Sequence, residues 1–226
     1  MRAIIFGATG MVGQGVLNAC LRDDTITEIL AIGRNPTGRA HPKLHEIHHK
    51  DFTDFTAISG QLADYDGCFY CLGNSSAGMT EADYRRISYD FPLAAAHAVL
   101  TMSPDITFCY VSGAGTDSTG KTRMMWARVK GETENALLAL TPRAYMFRPG
   151  LIVPLPGTTA KTAAYEILYR VLTPLSPLLR RLAPRHVTNS TDIGRAMIHT
   201  VLVRPARRTL TTADINNEAA SRQSKQ

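Results

Sequence analysis

The stretch "AIIFGATGMVGQGVL", residues 3–17, limits the possible folds more than any other part of the chain. It begins as an apolar run that ends at Gly7 and reads as a strand covered on both faces. Gly7, Gly10 and Gly13 then form a Gly-x-x-Gly-x-x-Gly pattern, and a helical stretch follows over about 11–21. In a strand–turn–helix setting each glycine has a task. Gly7 lets the chain turn sharply, Gly10 lets the backbone approach a pyrophosphate, and Gly13 lets the helix pack close to the strand. The free N–H groups and dipole of that helix then face the anion. The loop Gly7-Ala8-Thr9-Gly10-Met11-Val12-Gly13 is therefore expected to bind a dinucleotide.

The same alternation continues along the chain. "EILAIG" (28–33), "CFYCLG" (68–73), "ITFCYVSG" (106–113) and "AYMFRPG" (144–150) read as further buried strands, and "KLHEIHHK" (43–50) as a weaker one. Helical stretches lie between them at about 54–62, 80–102 and 121–140. This order implies βαβ units with right-handed crossovers, and so an α/β fold with a doubly wound parallel sheet, a Rossmann fold. One domain is expected over 1–212, with 151–190 as a substrate lid and 213–226 as a polar, frayed tail. Within the lid, Pro174 and Pro177 interrupt a Leu-rich helical stretch at 161–184. Tyr165, Leu168, Leu172 and Leu175 lie near one face of that stretch. The stripe reads as lid or core, with a homodimer contact and membrane-surface attachment through Arg170, Arg180 and Arg181 as the other readings.

Charge and cysteine usage narrow the classes. Residues 1–160 hold fourteen Lys/Arg against fifteen acids, so the net charge of +6 is concentrated in 161–208, with nine against two. That segment has few aromatics, so no nucleic-acid partner is expected. Cys68 and Cys71 form a CxxC, but on a buried strand residues three apart face opposite ways, so both read as small core residues. His41, His45, His48 and His49 lack a convergent carboxylate set and read as a solvated sheet edge, with no metal expected. The apolar run at the start is too short for a secretory segment or a membrane span, and the expected location is cytoplasmic.

The end of the second strand bears on cofactor choice. An NAD enzyme usually carries an acid there to bind the ribose 2′-hydroxyl. This chain has "AIGRNPTGR", with Arg34 twenty-one residues beyond Gly13 and no acid nearby. A guanidinium binds a 2′-phosphate bidentately, so NADP(H) is preferred over NAD(H).

These motifs, with "KDF" (50–52), "CLG" (71–73), "YVSG" (110–113), "WARVKGETE" (126–134) and "RPGLI" (148–152), occur in the order seen in a known superfamily. The chain resembles the short-chain dehydrogenase/reductase superfamily over about residues 1–200. More narrowly it is similar to its atypical members, near the epimerase/dehydratase and NmrA-like groups. The resemblance implies that Asp51 and Phe52 lie by the adenine and that Cys71, Leu72 and Gly73 lie under the cofactor ribose. It further implies that Lys130 binds the nicotinamide ribose, with Pro149, Gly150, Leu151 and Ile152 closing over the nicotinamide.

The catalytic positions depart from that pattern. In the superfamily a tyrosine four residues before the lysine exchanges a proton with the substrate; here that position is Trp126. Indole N–H is a donor that does not ionise in the physiological range, so it can orient a carbonyl but not complete a proton transfer. Ser112 stands where a substrate-orienting serine is expected, and the next residue is Gly113. Tyr84, Tyr89, Tyr110 and Tyr165, with Lys121 and His97 behind them, are the candidate substitutes. The reading is an oxidoreductase on a small carbonyl or alcohol substrate, with Lys130 and Ser112 as its catalytic-site groups. The alternatives are a non-catalytic NADP(H)-sensing regulator and, behind it, an epimerase or isomerase.

Overall fold

The structure is a computed structural model that describes residues 1–154 and 183–223. Seven parallel strands form one sheet: β1 (Arg2–Phe6), β2 (Glu28–Gly33), β3 (Leu44–His48), β4 (Gly67–Tyr70), β5 (Thr107–Val111), β6 (Ala144–Arg148) and β9 (Thr209–Thr211). Their order across the sheet is β3-β2-β1-β4-β5-β6-β9. β7 (Leu151–Val153) and β8 (Val187–Asn189) pair in parallel as a separate two-stranded ribbon.

The period of two along each strand divides the interior into two cores. From β1, Ala3 and Ile5 enter one core with Val16, Leu17 and Cys20 of α1 (Met11–Arg22) and Ile193 and Met197 of α5 (Ser190–Val203). Ile4 and Phe6 enter the other, with Leu62 of a 3₁₀ turn at Thr56–Leu62, Val99 of α3 (Phe91–Met102) and Leu137 of α4 (Met125–Leu140). Cys68 belongs to this second core while Cys71 packs against the first, as their spacing implies. β3 carries the exposed His45 and His48, and it is the edge strand.

Three segments differ from the sequence reading. The helical stretch at 80–102 is α2 (Glu81–Arg85), a π-helical turn at Arg86–Asp90, and α3. The short strand β9 closes the far edge. The tail expected to fray is helical over α6 (Thr212–Gln223), where Ile215, Ala219 and Arg222 are buried. Arg222 donates from Nε to Asp23 Oδ2 at 2.8 Å and from Nη2 to Oδ1 at 2.5 Å, pinning the tail to the end of α1. Three anchors at helical spacing outweigh the polar residues between them. The expected lid is described at its ends alone, in β7 and β8. The prolines 174 and 177 and the stripe on Tyr165 lie outside the described residues.

Candidate functional site

The chain order reverses between β1 and β4, and such a switch point opens a crevice at the carboxyl ends of the strands. Gly7 sits there with φ +78°, and a Cβ added to it would come within 2.8 Å of the Leu72 backbone. A Cβ on Gly13 would lie 2.0 Å from the Gly7 carbonyl oxygen. The glycine turn is therefore wedged between the start of α1 and the end of β4.

Two cavities meet over this turn. The first, about 430 Å³, is lined by Gly7, Thr9, Gly10, Arg34, Phe52, Cys71, Leu72 and Gly73 among the residues expected at the site. The second, about 530 Å³, shares Gly10 and Cys71–Asn74 with it. It continues along Met11, Val12, Ser112, Trp126, Lys130, Pro149, Gly150 and Ile152. Four expected residues line neither cavity. Ala8 is buried and Leu151 is exposed, and Gly13 acts through close packing. Asp51 accepts hydrogen bonds from the Thr53 amide at 2.9 Å and hydroxyl at 2.6 Å, which lower its pKa.

Trp126 and Lys130 lie one turn apart on α4, and both face the second cavity. Trp126 packs against Gly115. The Lys130 ammonium donates to the Ser112 carbonyl, and burial pushes its pKa down to about 8. Ser112 is buried, and its Oγ lies 2.5 Å from Glu134 Oε1 and 3.1 Å from the Phe147 carbonyl. A hydroxyl has one proton to donate, and the short contact to Glu134 claims it. Glu134, fully buried, is also held by Arg148, whose Nε lies 3.0 Å from Oε1, and by the Ser118 hydroxyl at 3.1 Å. This lock joins α4, β6 and the segment after β5.

None of the described substitutes for the missing phenol lines the second cavity. Tyr84 and Tyr110 are buried with pKa values pushed up by desolvation, and the Tyr110 hydroxyl donates to the Ser88 carbonyl at 3.2 Å. The Tyr89 ring carries the Arg85 guanidinium at 4.3 Å. His97 and Lys121 line neither cavity, and Tyr165 lies outside the described residues. Cys71 is the other titratable group at the second cavity, and burial pushes its thiol up. Among the described residues no group of His, Cys, Asp and Glu could hold a metal ion. His49 instead sets its Nε2 at 2.6 and 2.8 Å from the carbonyls of Asp51 and Asp54.

The sequence reading did not place Lys50, Asn35, Asn74, Asp83, Arg86, Ile87 and Phe91 at the first cavity. Lys50 opens the KDF motif, of which only Asp51 and Phe52 carried an expected role. Arg86 and Ile87 come from a helical stretch whose periodicity carries no sign of what it faces.

No family model matches the chain. The chain is similar to protein FMP52-1, mitochondrial, of Scheffersomyces stipitis, with 28% identity over 156 residues, 68% of each chain. It is also similar to protein fmp52-2, mitochondrial, of Aspergillus oryzae, with 25% identity over 199 residues, 87% of this chain and 84% of the other. Among solved structures, the Bordetella bronchiseptica enzyme WbmF in complex with NAD+ superposes with a TM-score of 0.66 at 13% identity, covering 97% of this chain and 77% of that one. A short chain dehydrogenase family protein from Francisella tularensis gives 0.59 at 12% identity, covering 88% and 90%. The chain thus has the Rossmann-type fold of the short-chain dehydrogenase/reductase structures. The expectation of a cytoplasmic location is overturned, because the relatives are named as mitochondrial proteins. A short apolar run excludes secretory and membrane-spanning character for that stretch alone, and leaves other compartments open. No described helix is long and apolar enough to cross a membrane.

Proposed function

We propose that the joined cavities hold NADP(H), with adenosine in the first and nicotinamide in the second. One observation carries this reading: both cavities open over the glycine turn, with Arg34 and no carboxylate at the end of β2. When bound, the cofactor would supply or accept a hydride. Gly10 and the start of α1 would receive the pyrophosphate, and Lys130 would hold the nicotinamide ribose. Phe52 would flank the adenine, while Pro149, Gly150 and Ile152 would border the nicotinamide. Within this reading the chain is an oxidoreductase on a small carbonyl or alcohol. Trp126 would orient the substrate oxygen through its indole N–H. Ser112 could join it only by leaving Glu134.

The capture of the Ser112 hydroxyl and the missing phenol favour a second reading, a protein that senses NADP(H) without turning it over. The names of the relatives favour a mitochondrial setting for either.

Thermal melts test the binding. Ligand at a hundred times its Kd adds about 2.7 kcal/mol, roughly 5–10 °C for a chain of this size. A larger shift with NADPH than with NADH is expected. The reverse order would refute the Arg34 argument, and no shift with either would refute both readings. NADPH consumption against a carbonyl panel separates the readings. Turnover by the wild type removes the sensor, whereas turnover gained only in Trp126→Tyr supports it.

A further inference from the structure

Arg34 has company in the first cavity. Lys50, shortly after β3, and Arg86, from the π-helical turn, line the same 430 Å³ space. Several arginines elsewhere are ion-paired, Arg2 with Glu28, Arg85 with Glu132, Arg128 with Glu81, Arg148 with Glu134 and Arg222 with Asp23, whereas the exposed Arg22, Arg39, Arg123, Arg185 and Arg204 have no ion pair with any described residue. Arg34, Lys50 and Arg86 make no side-chain hydrogen bond or ion pair with any described residue, and the Arg86 guanidinium lies 5.9 Å from the Phe91 ring.

The acids nearby keep their charge but form no ion pair with the three cations, although Arg86 helps to lower the Asp51 pKa. Asp83, on the same wall, accepts from the Thr80 hydroxyl at 2.7 Å, and Asp51 holds Thr53. In a regular α-helix Arg86 and Asp90 would stack four residues apart on one face. The wider π-turn, a feature frequent at functional sites, alters that spacing, and no ion pair joins them. The cavity is thus lined by three cations and one carboxylate, Asp83, with no ion pair between them, an excess of positive charge. All three residues are exposed, so water screens their mutual repulsion, and a cleft lined by cations attracts anions.

The anion can be assigned by elimination within a dinucleotide. The pyrophosphate belongs at the glycine turn, which supplies backbone N–H groups and a helix N-terminus. The adenosine end carries one other anionic group, the ribose 2′-phosphate. We propose that Lys50 and Arg86 join Arg34 in a three-cation clamp on that 2′-phosphate, so that discrimination against NAD(H) does not rest on Arg34 alone. This inference rests on the dinucleotide reading above.

Titration calorimetry of the full chain with NADPH and with NADH tests it. Lys50→Gln and Arg86→Gln should each weaken NADPH by about tenfold, the loss of one charge-assisted contact, and change NADH by less than about twofold. Arg34→Gln should retain a measurable NADPH preference, and Arg86→Lys should recover part of the affinity lost in Arg86→Gln. Melts without ligand check that each variant is folded. Equal loss for both cofactors would overturn the clamp and place the side chain on the adenine or the pyrophosphate. No loss for either would also overturn it. Failure of the wild type to bind either cofactor would instead remove the dinucleotide reading on which the clamp rests.

Discussion

The two ends of the cleft treat charge in opposite ways. At the first cavity Arg34, Lys50 and Arg86 stand without carboxylate partners over a glycine floor. At the second, Glu134 is closed in by Arg148, Ser112 and Ser118, and Lys130 faces a backbone carbonyl. One end is ready for an anion. The other is closed by hydrogen bonds and, among its described lining residues, holds no side chain that readily exchanges a proton except Lys130. On the proposed reading, recognition and chemistry are separable in this fold, with the groups for the first more fully present than those for the second.

The largest effect should come from the floor that both ends share. Gly13→Ala would place a Cβ 2.0 Å from the Gly7 oxygen, a contact between backbone atoms with no flexible side chain to yield. Either α1 or the turn must shift, at a cost above about 4 kcal/mol. Loss of the NADPH-induced thermal shift should accompany the lower melting temperature. If the variant binds NADPH within twofold of the wild type, the turn is not the cradle.

Next in size is a change that opens the locked end alone. Arg148→Met leaves the fully buried Glu134 without its ion-pair partner. Stranding a buried charge costs about 3–4 kcal/mol, a drop of roughly 6–16 °C in melting temperature for this size. Adding Glu134→Gln should recover part of that loss, because the charge is removed with its partner. The NADPH-over-NADH preference should survive in both, since the clamp lies at the other cavity. A preference lost with Arg148 would mean that the two ends are coupled.

Where the fold and the cleft were legible in the sequence, the reason was local. β1, β2, β4, β5 and β6 are continuous apolar runs because parallel strands are covered on both faces. The glycine turn, Arg34 and Lys130 sit at fixed offsets within single elements, so spacing alone brings them to the cleft. What escaped is what only tertiary structure assembles. Ser112 meets Glu134 across twenty-two residues, so its hydroxyl looked free. Arg86 reaches the first cavity from a helix on another wall, through a π-turn that the apolar period does not announce. β9 has three residues with only Leu210 buried, and α6 sets the buried Ile215, Ala219 and Arg222 among polar residues. Asp51, carried over from the resemblance, also holds a local turn with Thr53 that its sequence context does not announce.

The smallest effect sharpens the contrast between the ends by titration. Lys130 is held at a pKa of about 8 in the fold by burial, while an unfolded lysine titrates near its ordinary value of about 10.4. Between those values the unfolded chain holds the proton and the folded chain does not. Stability should therefore rise with pH across about 8 to 10.4, and the penalty is fully present below 8. The rise should be on the order of 2 kcal/mol, allowing for the water that still reaches a partly exposed amine. Urea midpoints at pH 7.5 and 9.5 for the wild type and Lys130→Met measure it, because the variant lacks the titrating group and should lose that component of the slope. Arg86→Gln should leave the slope unchanged, since a guanidinium stays charged throughout this range. Parallel slopes in the wild type and Lys130→Met would mean that the amine is solvated and carries its ordinary charge. The second cavity would then be as cationic as the first, and the difference between the two ends would reduce to the Glu134 lock.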